Sequence, residues 1–176
     1  WHKDEVRQVA GELGLSEAIA GRQPFPGPGL VLRVVTWDGD EDVPVGLDAR
    51  VAAALTGLEF TTVRTLPFKT VGVQGDLRSY RFLTLIETGN LEQPTLNRAG
   101  QTIAGGFAEI NRVAVVLGTR EQIVGYQPRR STIDEEQVRL LQEVDAEARE
   151  VLADLPSSQL FCLLLPLGSG TGRYTV

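Results

Sequence analysis

The chain has 176 residues, 42% of them hydrophobic, which is enough to bury the core of one domain or about one and a half small ones. Its formal net charge of -6 argues against binding a nucleic acid over a broad face, because such binding draws its affinity from neutralised phosphates. Its one cysteine, Cys162, and one histidine, His2, exclude an internal disulfide, a His/Cys metal site and a histidine-dependent catalytic centre within these residues.

Membrane and export signals are missing from the sequence. No stretch reaches the roughly 18 consecutive apolar residues of a membrane span, and no signal-peptide pattern opens the chain. We therefore expect a cytoplasmic protein with no membrane partner. Nineteen glycines and nine prolines, clustered at 24–29 and 168–172, favour strands interrupted by binding loops, as in an α+β fold.

The first predicted element is a helix over residues 3–20, where Val6, Val9 and Leu13 recur at helical spacing and Gly14 is a candidate C-terminal stop. Residues 22–30, Arg-Gln-Pro-Phe-Pro-Gly-Pro-Gly-Leu, follow it. Three prolines and two glycines in six positions predict a rigid, extended loop. Such a loop suits a binding site whose backbone is fixed before the ligand arrives, or a stiff linker between two domains.

Strands and helices alternate over the rest of the chain. Apolar or alternating runs predict strands at 30–36, 60–66, 80–87, 113–117 and 159–165. Apolar residues at helical spacing predict helices at 48–55, 95–107 and 134–153. The acidic run at 38–42 is interpreted as a solvated loop, because it lacks the later ligands of a calcium-binding loop. These elements predict an α+β two-layer sandwich, a mostly antiparallel sheet with helices on one face.

Residues 69–80, Lys-Thr-Val-Gly-Val-Gln-Gly-Asp-Leu-Arg-Ser-Tyr, are the segment around which the other elements are arranged. Gly75 and Asp76 predict a tight turn between two extended segments. Arg78 follows this turn, where its planar guanidinium could bind an oxyanion through two hydrogen bonds. The alternative is that Arg78 pairs with Asp76 and only shapes the turn.

The order of elements in the last third of the chain repeats that of the middle. Leu-Asp-Ala at 47–49 aligns with Val-Asp-Ala at 144–146, and each is followed by an apolar run that ends in Leu-Pro. After a glycine-containing loop each copy resumes with an aromatic residue, Tyr80 or Tyr174. The second copy lacks the final strand, helix and strand, so we expect a fragment or a protein whose missing half comes from a partner chain. Chance similarity of two helix–strand units is the alternative.

Three motifs, in their order and spacing, resemble GMP synthase, the glutamine-hydrolysing ligase that aminates xanthosine monophosphate (XMP). They are Lys-Asp-Glu-Val-Arg at 3–7 with Leu-Gly-Leu at 13–15, the loop at 22–30, and the segment at 69–80. Ile-Asn-Arg-Val at 110–113 is a fourth, weaker match. The doubled unit resembles the dimerisation domain of the long, eukaryote-like form of the enzyme.

The resemblance implies a division of the chain. It gives 1–21 as the end of an ATP pyrophosphatase domain, 22–30 as a junction loop, 31–120 as a first dimerisation-type unit, 121–133 as a linker and 134–176 as the start of a second, incomplete unit. The sequence contains neither the Ser-Gly-Gly-Val-Asp pyrophosphate loop nor the glutaminase Cys-His-Glu set of the family. We therefore expect no catalytic, cofactor-binding or metal-binding residue here; the full enzyme uses ATP and Mg elsewhere.

The resemblance also implies a substrate site and a partner. The family's XMP contacts correspond here to Arg78 and Gln159, and Phe25, Gly27 and Gly29 of the junction loop border the same site. A homodimer is the implied assembly. The chain ends at 172–176 without the family's Lys-Pro-Pro and Thr-x-Glu-Trp-Glu elements, so we expect weak XMP binding by these residues alone. A stand-alone, non-catalytic interaction module is the alternative; an RNA binder is disfavoured by the acidic charge.

Overall fold

The computed structural model of the chain describes residues 2–21, 29–74, 77–89, 91–116, 126–154 and 161–169. The strands are β1 (Phe60–Gln74), β2 (Leu77–Thr88), β3 (Ile110–Val115), β4 (Tyr126–Pro128) and β5 (Leu167–Ser169). The helices are α1 (Lys3–Glu12), α2 (Glu17–Ala20), α3 (Leu47–Ala54), α4 (Gln93–Gly106) and α5 (Glu135–Val151), with a 3-10 turn at Val31–Arg33. None of the helices in these ranges is both long enough and apolar enough to cross a membrane.

The main sheet has the order β1-β2-β3. Strands β1 and β2 form a long antiparallel hairpin, and β3 returns through α4 to lie parallel to β2. Between Thr65 and Lys69 the edge strand β1 has more residues than the opposing segment of β2, so β1 bulges there. Pro67 lies in this bulge, where its missing N–H leaves no ladder hydrogen bond unmade. The sheet is therefore mixed, with one antiparallel and one parallel pair.

Both faces of this sheet are covered. Helices α3 and α4 pack on one face, around a core of fully buried side chains: Leu47, Val51, Leu55, Ile86, Ala99, Ile103 and Ile110. On the other face, β5 and residues 35–37 cover a second cluster: Leu66, Phe68, Leu83, Leu85 and Leu167. The predicted α+β class is confirmed, and α3 and α4 share one face of the main sheet as expected.

The long helix α5 belongs to a third cluster, in which Leu141 packs against Val34 and Leu164. Its start is fixed by a reciprocal cap: Gln137 donates its backbone N–H to the Asp134 carboxylate at 2.8 Å and accepts from the Asp134 N–H at 3.2 Å. Both termini of the observed helix lie within two residues of the predicted boundaries, 134 and 153.

Several sequence expectations are wrong in detail. The helix predicted over 3–20 breaks into α1 and α2 where Gly14 takes a positive φ of 80°, and Leu13 is 75% exposed and packs into no described core. The range predicted as a strand, 30–36, instead forms a 3-10 turn followed by one bridge, because only Val34 in this range pairs with another chain segment. A second single bridge follows at Trp37. Conversely, β4 and β5 lie outside every strand that the sequence predicts.

Candidate functional site

The β1–β2 hairpin extends beyond the third strand. The first residue of β3, Ile110, pairs with Phe82, so residues 70–74 and 77–81 lie beyond the start of β3. We call these residues the arm. An isolated two-stranded ribbon is marginally stable in water, so the arm depends on contacts outside its own ladder.

Arg78 lies near the tip of the arm, opposite Val73 in the register, and is exposed. Within the described parts of the chain, no hydrogen bond or ion pair engages its guanidinium. Asp76, its alternative partner, lies outside the described residues, so the turn-shaping pair is untested. The predicted position of Arg78, on an extended segment directly after the turn, is the observed one.

One face of the arm combines cations with aromatic rings. By register, Arg78, Tyr80 and Phe82 on β2 share this face with Lys69 and Val71 on β1. The Nζ atom of Lys69 lies 5.3 Å from the ring centroid of Phe82 and 6.0 Å from that of Tyr80. Tyr80 is 62% exposed. A guanidinium for an anionic group and an exposed ring for a planar one therefore lie on the same side of the arm.

A cleft beside Tyr80 is lined by side chains of both charges. It is open, has a volume of about 750 Å³, and is lined by Asp38, Asp40 and Glu41 together with residues 130–133. Glu41 is the ion-pair partner of Lys69 at 2.6 Å. Arg130 also lines the cleft and lies 3.7 Å from Asp40, so cationic side chains pair with two of the three carboxylates.

The opposite face of the arm is occupied by Asn111. Its Nδ2 donates to the backbone oxygens of Thr70 at 2.7 Å and Ser79 at 3.2 Å, and lies 3.2 Å from the Ser79 hydroxyl. Its Oδ1 accepts from the Thr70 hydroxyl at 3.2 Å. Gly72 lies beneath this amide, because a Cβ added there would come within 2.8 Å of Nδ2. Asn111 therefore contacts both strands of the arm at the position where β1 has no side chain.

A bulge in β3 accounts for the orientation of Asn111. Ile110 pairs with Phe82 and Arg112 pairs with Leu83, so Asn111 is the extra residue between two consecutive pairs. Arg112 also reaches the arm, donating from Nη2 to the Val71 carbonyl at 2.9 Å. Burial lowers the pKa of Arg112, whose Nε is buried without a partner among the described residues. The sequence predicts neither contact, although both residues belong to the fourth motif.

Of the other predicted site residues, the structure describes only Gly29. Phe25, Gly27 and Gln159 lie outside the described residues. Gly29 accepts a hydrogen bond from the backbone N–H of Leu32 at 3.2 Å and begins the 3-10 turn. No described contact joins Gly29 to Arg78.

Residues 33–35 lie beside Leu164. Val34 pairs with Leu164 in parallel: the Val35 N–H donates to the Leu164 carbonyl at 2.9 Å and the Leu164 N–H to the Arg33 carbonyl at 3.0 Å. Gly29 and Gln159 each lie five positions before the paired residue, at 29 to 34 and 159 to 164.

A buried ion pair lies next to this contact. Arg33 donates from Nη1 and Nη2 to the two carboxylate oxygens of Asp145 at 2.5 and 3.2 Å, and both side chains are about nine-tenths buried. Asp145 also accepts from Arg149 Nε at 2.9 Å and from the Cys162 N–H at 3.2 Å. Burial alone raises the pKa of Asp145, but these hydrogen bonds outweigh it and lower the pKa to about 2. Burial, with the Asp145 charge second, raises the pKa of the Cys162 thiol.

Asp145 has a counterpart on α3. The carboxylate of Asp48 accepts from the Thr65 N–H at 2.8 Å, and both this bond and that from Cys162 to Asp145 span 17 residues. Helix α3 ends at Ala54 and α5 at Val151, in each case six residues after the aspartate. Among the described residues, no group of three His, Cys, Asp or Glu side chains is placed to hold a metal ion.

Comparison with known proteins identifies relatives of one kind. No protein-family model matches the chain. A probable glutamine-hydrolysing GMP synthase of Leptospira interrogans is 32% identical over 181 aligned positions that cover 95% of the chain. The glutamine-hydrolysing GMP synthase of Nitratidesulfovibrio vulgaris is 34% identical over 67% of the chain, and that of Leifsonia xyli is 48% identical over 44%. The matched regions span only 17 to 28% of the length of these relatives. The chain is therefore a domain related to the glutamine-hydrolysing GMP synthases.

Proposed function

We propose that this chain is the C-terminal dimerisation and XMP-binding portion of a cytoplasmic GMP synthase. The relatives support a role in GMP biosynthesis, since all of those described above are GMP synthases by name. By this proposal the amination of XMP, with its use of glutamine, ATP and Mg, takes place in a larger enzyme. These residues do not catalyse it alone, because they carry neither the glutaminase set nor the pyrophosphate loop.

The observation that carries the XMP proposal is the exposed guanidinium of Arg78 on the arm. XMP is a dianionic phosphate ester with a planar base, and Arg can form two hydrogen bonds to one phosphate or carbonyl group. The exposed ring of Tyr80, on the same face, is suited to contact a planar group.

A second part of the proposed site comes from the junction loop and Gln159. The parallel contact between Val34 and Leu164 supports this grouping, because Gly29 and Gln159 each precede one of these paired residues by five positions in the sequence. A glutamine amide both donates and accepts, which suits a ribose or purine edge. Phe25, Gly27 and Gly29 would form the border of this part of the site.

The doubled dimerisation unit is part of the same proposal. Its support is that two hydrogen bonds correspond: Thr65 donates to Asp48, and Cys162 donates to Asp145. Each bond joins a helix to the extended segment that follows it, and each spans 17 residues. Two unrelated helix–strand units have no reason to share both this hydrogen bond and the position at which the helix ends. We infer a homodimer in which a second copy completes the assembly.

The alternative is a stand-alone, non-catalytic interaction module. Its support is the position of β1 at the edge of the main sheet: among the described residues, its 15 residues pair on one side with β2 and on the other side with no strand. A long edge strand offers unpaired backbone groups to another chain. Both functions use a second chain, so XMP binding is the property that separates them.

The test is XMP affinity in the full-length protein that contains these residues, measured by calorimetry and as KM in a GMP-forming assay. Arg78→Ala should raise Kd and KM about tenfold or more, because a hydrogen bond to a charged group contributes about 1.5–3 kcal/mol. Arg98→Ala, which removes an exposed arginine from α4, is the matched control and should leave both values unchanged. An Arg78→Ala variant with wild-type XMP affinity would contradict the site, and a full-length protein that binds no XMP would favour the interaction module.

A further inference from the structure

The orientation of the arm is not fixed by its own ladder. Past the start of β3 the arm is a two-stranded ribbon, and such ribbons twist more freely than strands in the middle of a sheet. Arg78 lies near its tip, so a small rotation at the base of the ribbon moves the guanidinium by a larger distance. Something outside β1 and β2 has to hold the arm if Arg78 is to meet a ligand in one place.

Asn111 is placed to hold the arm in one orientation. It is the bulged residue of β3, and its amide makes contact with both strands of the arm at once, through Thr70 on β1 and Ser79 on β2. An amide is the side chain that this position requires, because it donates to the carbonyl oxygens while accepting from the Thr70 hydroxyl. The missing Cβ of Gly72 makes the approach possible, since any side chain there would overlap the amide.

The contact lies next to Arg78 in the chain. Ser79, whose carbonyl and hydroxyl face Asn111, directly follows Arg78, and its cross-strand partner is Gly72. We propose that Asn111 is a positioning residue, which locks the arm in the orientation at which Arg78 contacts the anionic substrate. This inference rests on the proposed function, because it takes XMP as the ligand of Arg78. A displacement of about 1 Å in a binding group is enough to cost much of its contribution.

The experiment compares Asn111→Ala with wild type in the full-length protein. We expect the KM for XMP to rise about three- to tenfold, the effect of one or two lost hydrogen bonds, while kcat at saturating XMP and the KM for ATP stay near wild type. Asn111→Asp keeps the size of the side chain but turns its donor into an anion facing two carbonyls, so it should raise the KM for XMP at least as much.

The decisive comparison uses the background in which Arg78 is replaced. If Asn111 acts through Arg78, Asn111→Ala should raise the KM for XMP in wild type but add less than about twofold to Arg78→Ala. A residue that only stabilises the fold would give the same factor in both backgrounds. Faster hydrogen exchange at the amides of Ser79 and Tyr80 in Asn111→Ala is the expected structural signature.

The experiment distinguishes failure of the positioning role of Asn111 from failure of the proposed function. Asn97→Ala, which removes an exposed asparagine from α4, should change none of these quantities. If Arg78→Ala raises the KM for XMP but Asn111→Ala does not, or if their effects simply multiply, the role of Asn111 is overturned and the proposed function stands. If Arg78→Ala leaves the KM unchanged, the proposed function fails and the positioning role fails with it.

Discussion

Arg33 and Asp145 form a buried, two-pronged ion pair that connects the chain segment after the junction loop to the long helix α5. The same carboxylate holds the backbone of Cys162, so one residue joins a turn, a helix and an extended segment. The ion pair therefore fixes the chain at Arg33 and Cys162 against α5.

Replacing Asp145 with Asn should destabilise the protein by about 3–5 kcal/mol, because it leaves the Arg33 guanidinium charged and buried without a counter-charge. Urea denaturation monitored by circular dichroism gives this free energy of unfolding. Asp4→Asn is the matched control: Asp4 pairs with Arg7 in solvent, with its side chain 92% exposed, and its loss should have little effect. Equal stability of the two variants would contradict the structural importance of the buried pair.

The ion pair between Arg33 and Asp145 should also make the free energy of unfolding depend on pH. The pKa of Asp145 is about 2 in the folded protein against an ordinary value of 3.8, so the folded state binds this proton less readily than the unfolded chain. Its stabilisation, on the order of 2 kcal/mol, is present above about pH 4 and is lost as the pH falls towards 2. The difference in unfolding free energy between wild type and Asp145→Asn should therefore shrink over this range. A constant difference from about pH 5 to about pH 2 would show that the pKa is not lowered.

Gly72→Ala tests the packing of Asn111 on the arm. The new Cβ would lie 2.8–2.9 Å from three atoms of the Asn111 side chain, so either the amide or the strand has to move, at a cost of about 1–3 kcal/mol. The cost should fall when Asn111→Ala removes the amide, which a double-mutant cycle measures directly. Gly100→Ala on α4 is the control, because nothing lies within 4 Å of its Cβ position and alanine favours the helix. A Gly72→Ala variant as stable as wild type would show that the amide does not occupy this space.

The sequence predicts those elements whose signals are local. The alternation on both sides of Gly75 predicts the hairpin, and the apolar spacing together with Asp134 predicts α5. Residues 30–36 show the limit: the apolar run matches a strand, yet Leu32 is 89% exposed, because a strand forms only where another segment supplies hydrogen bonds.

The site is predictable only in part for the same reason. Arg78 follows a turn that the local sequence indicates, so its exposure can be predicted. The contact of Asn111 with Thr70 joins residues 41 positions apart, and that of Arg33 with Asp145 joins residues 112 apart. No local pattern specifies such pairs. Asp145 lies on a helix whose charges resemble an ordinary solvated face, and only its alignment with Asp48 distinguishes it from them.

The comparison of Asp48 with Asp145 predicts that an asparagine substitution destabilises the protein much less at Asp48 than at Asp145. Asp48 serves mainly as an acceptor for the Thr65 N–H. Asp48→Asn keeps an oxygen in place, so it should lower the free energy of unfolding by less than about 1 kcal/mol. Asp48→Ala leaves that N–H unpaired, so it should lower it by about 1–3 kcal/mol. At Asp145, by contrast, even the asparagine variant should cost several kcal/mol, because the charge of Arg33 is buried with it. Urea denaturation of the asparagine and alanine variants at both positions checks this order. If Asp48→Asn were as damaging as Asp145→Asn, the buried charge of Arg33 would not be what distinguishes the two aspartates.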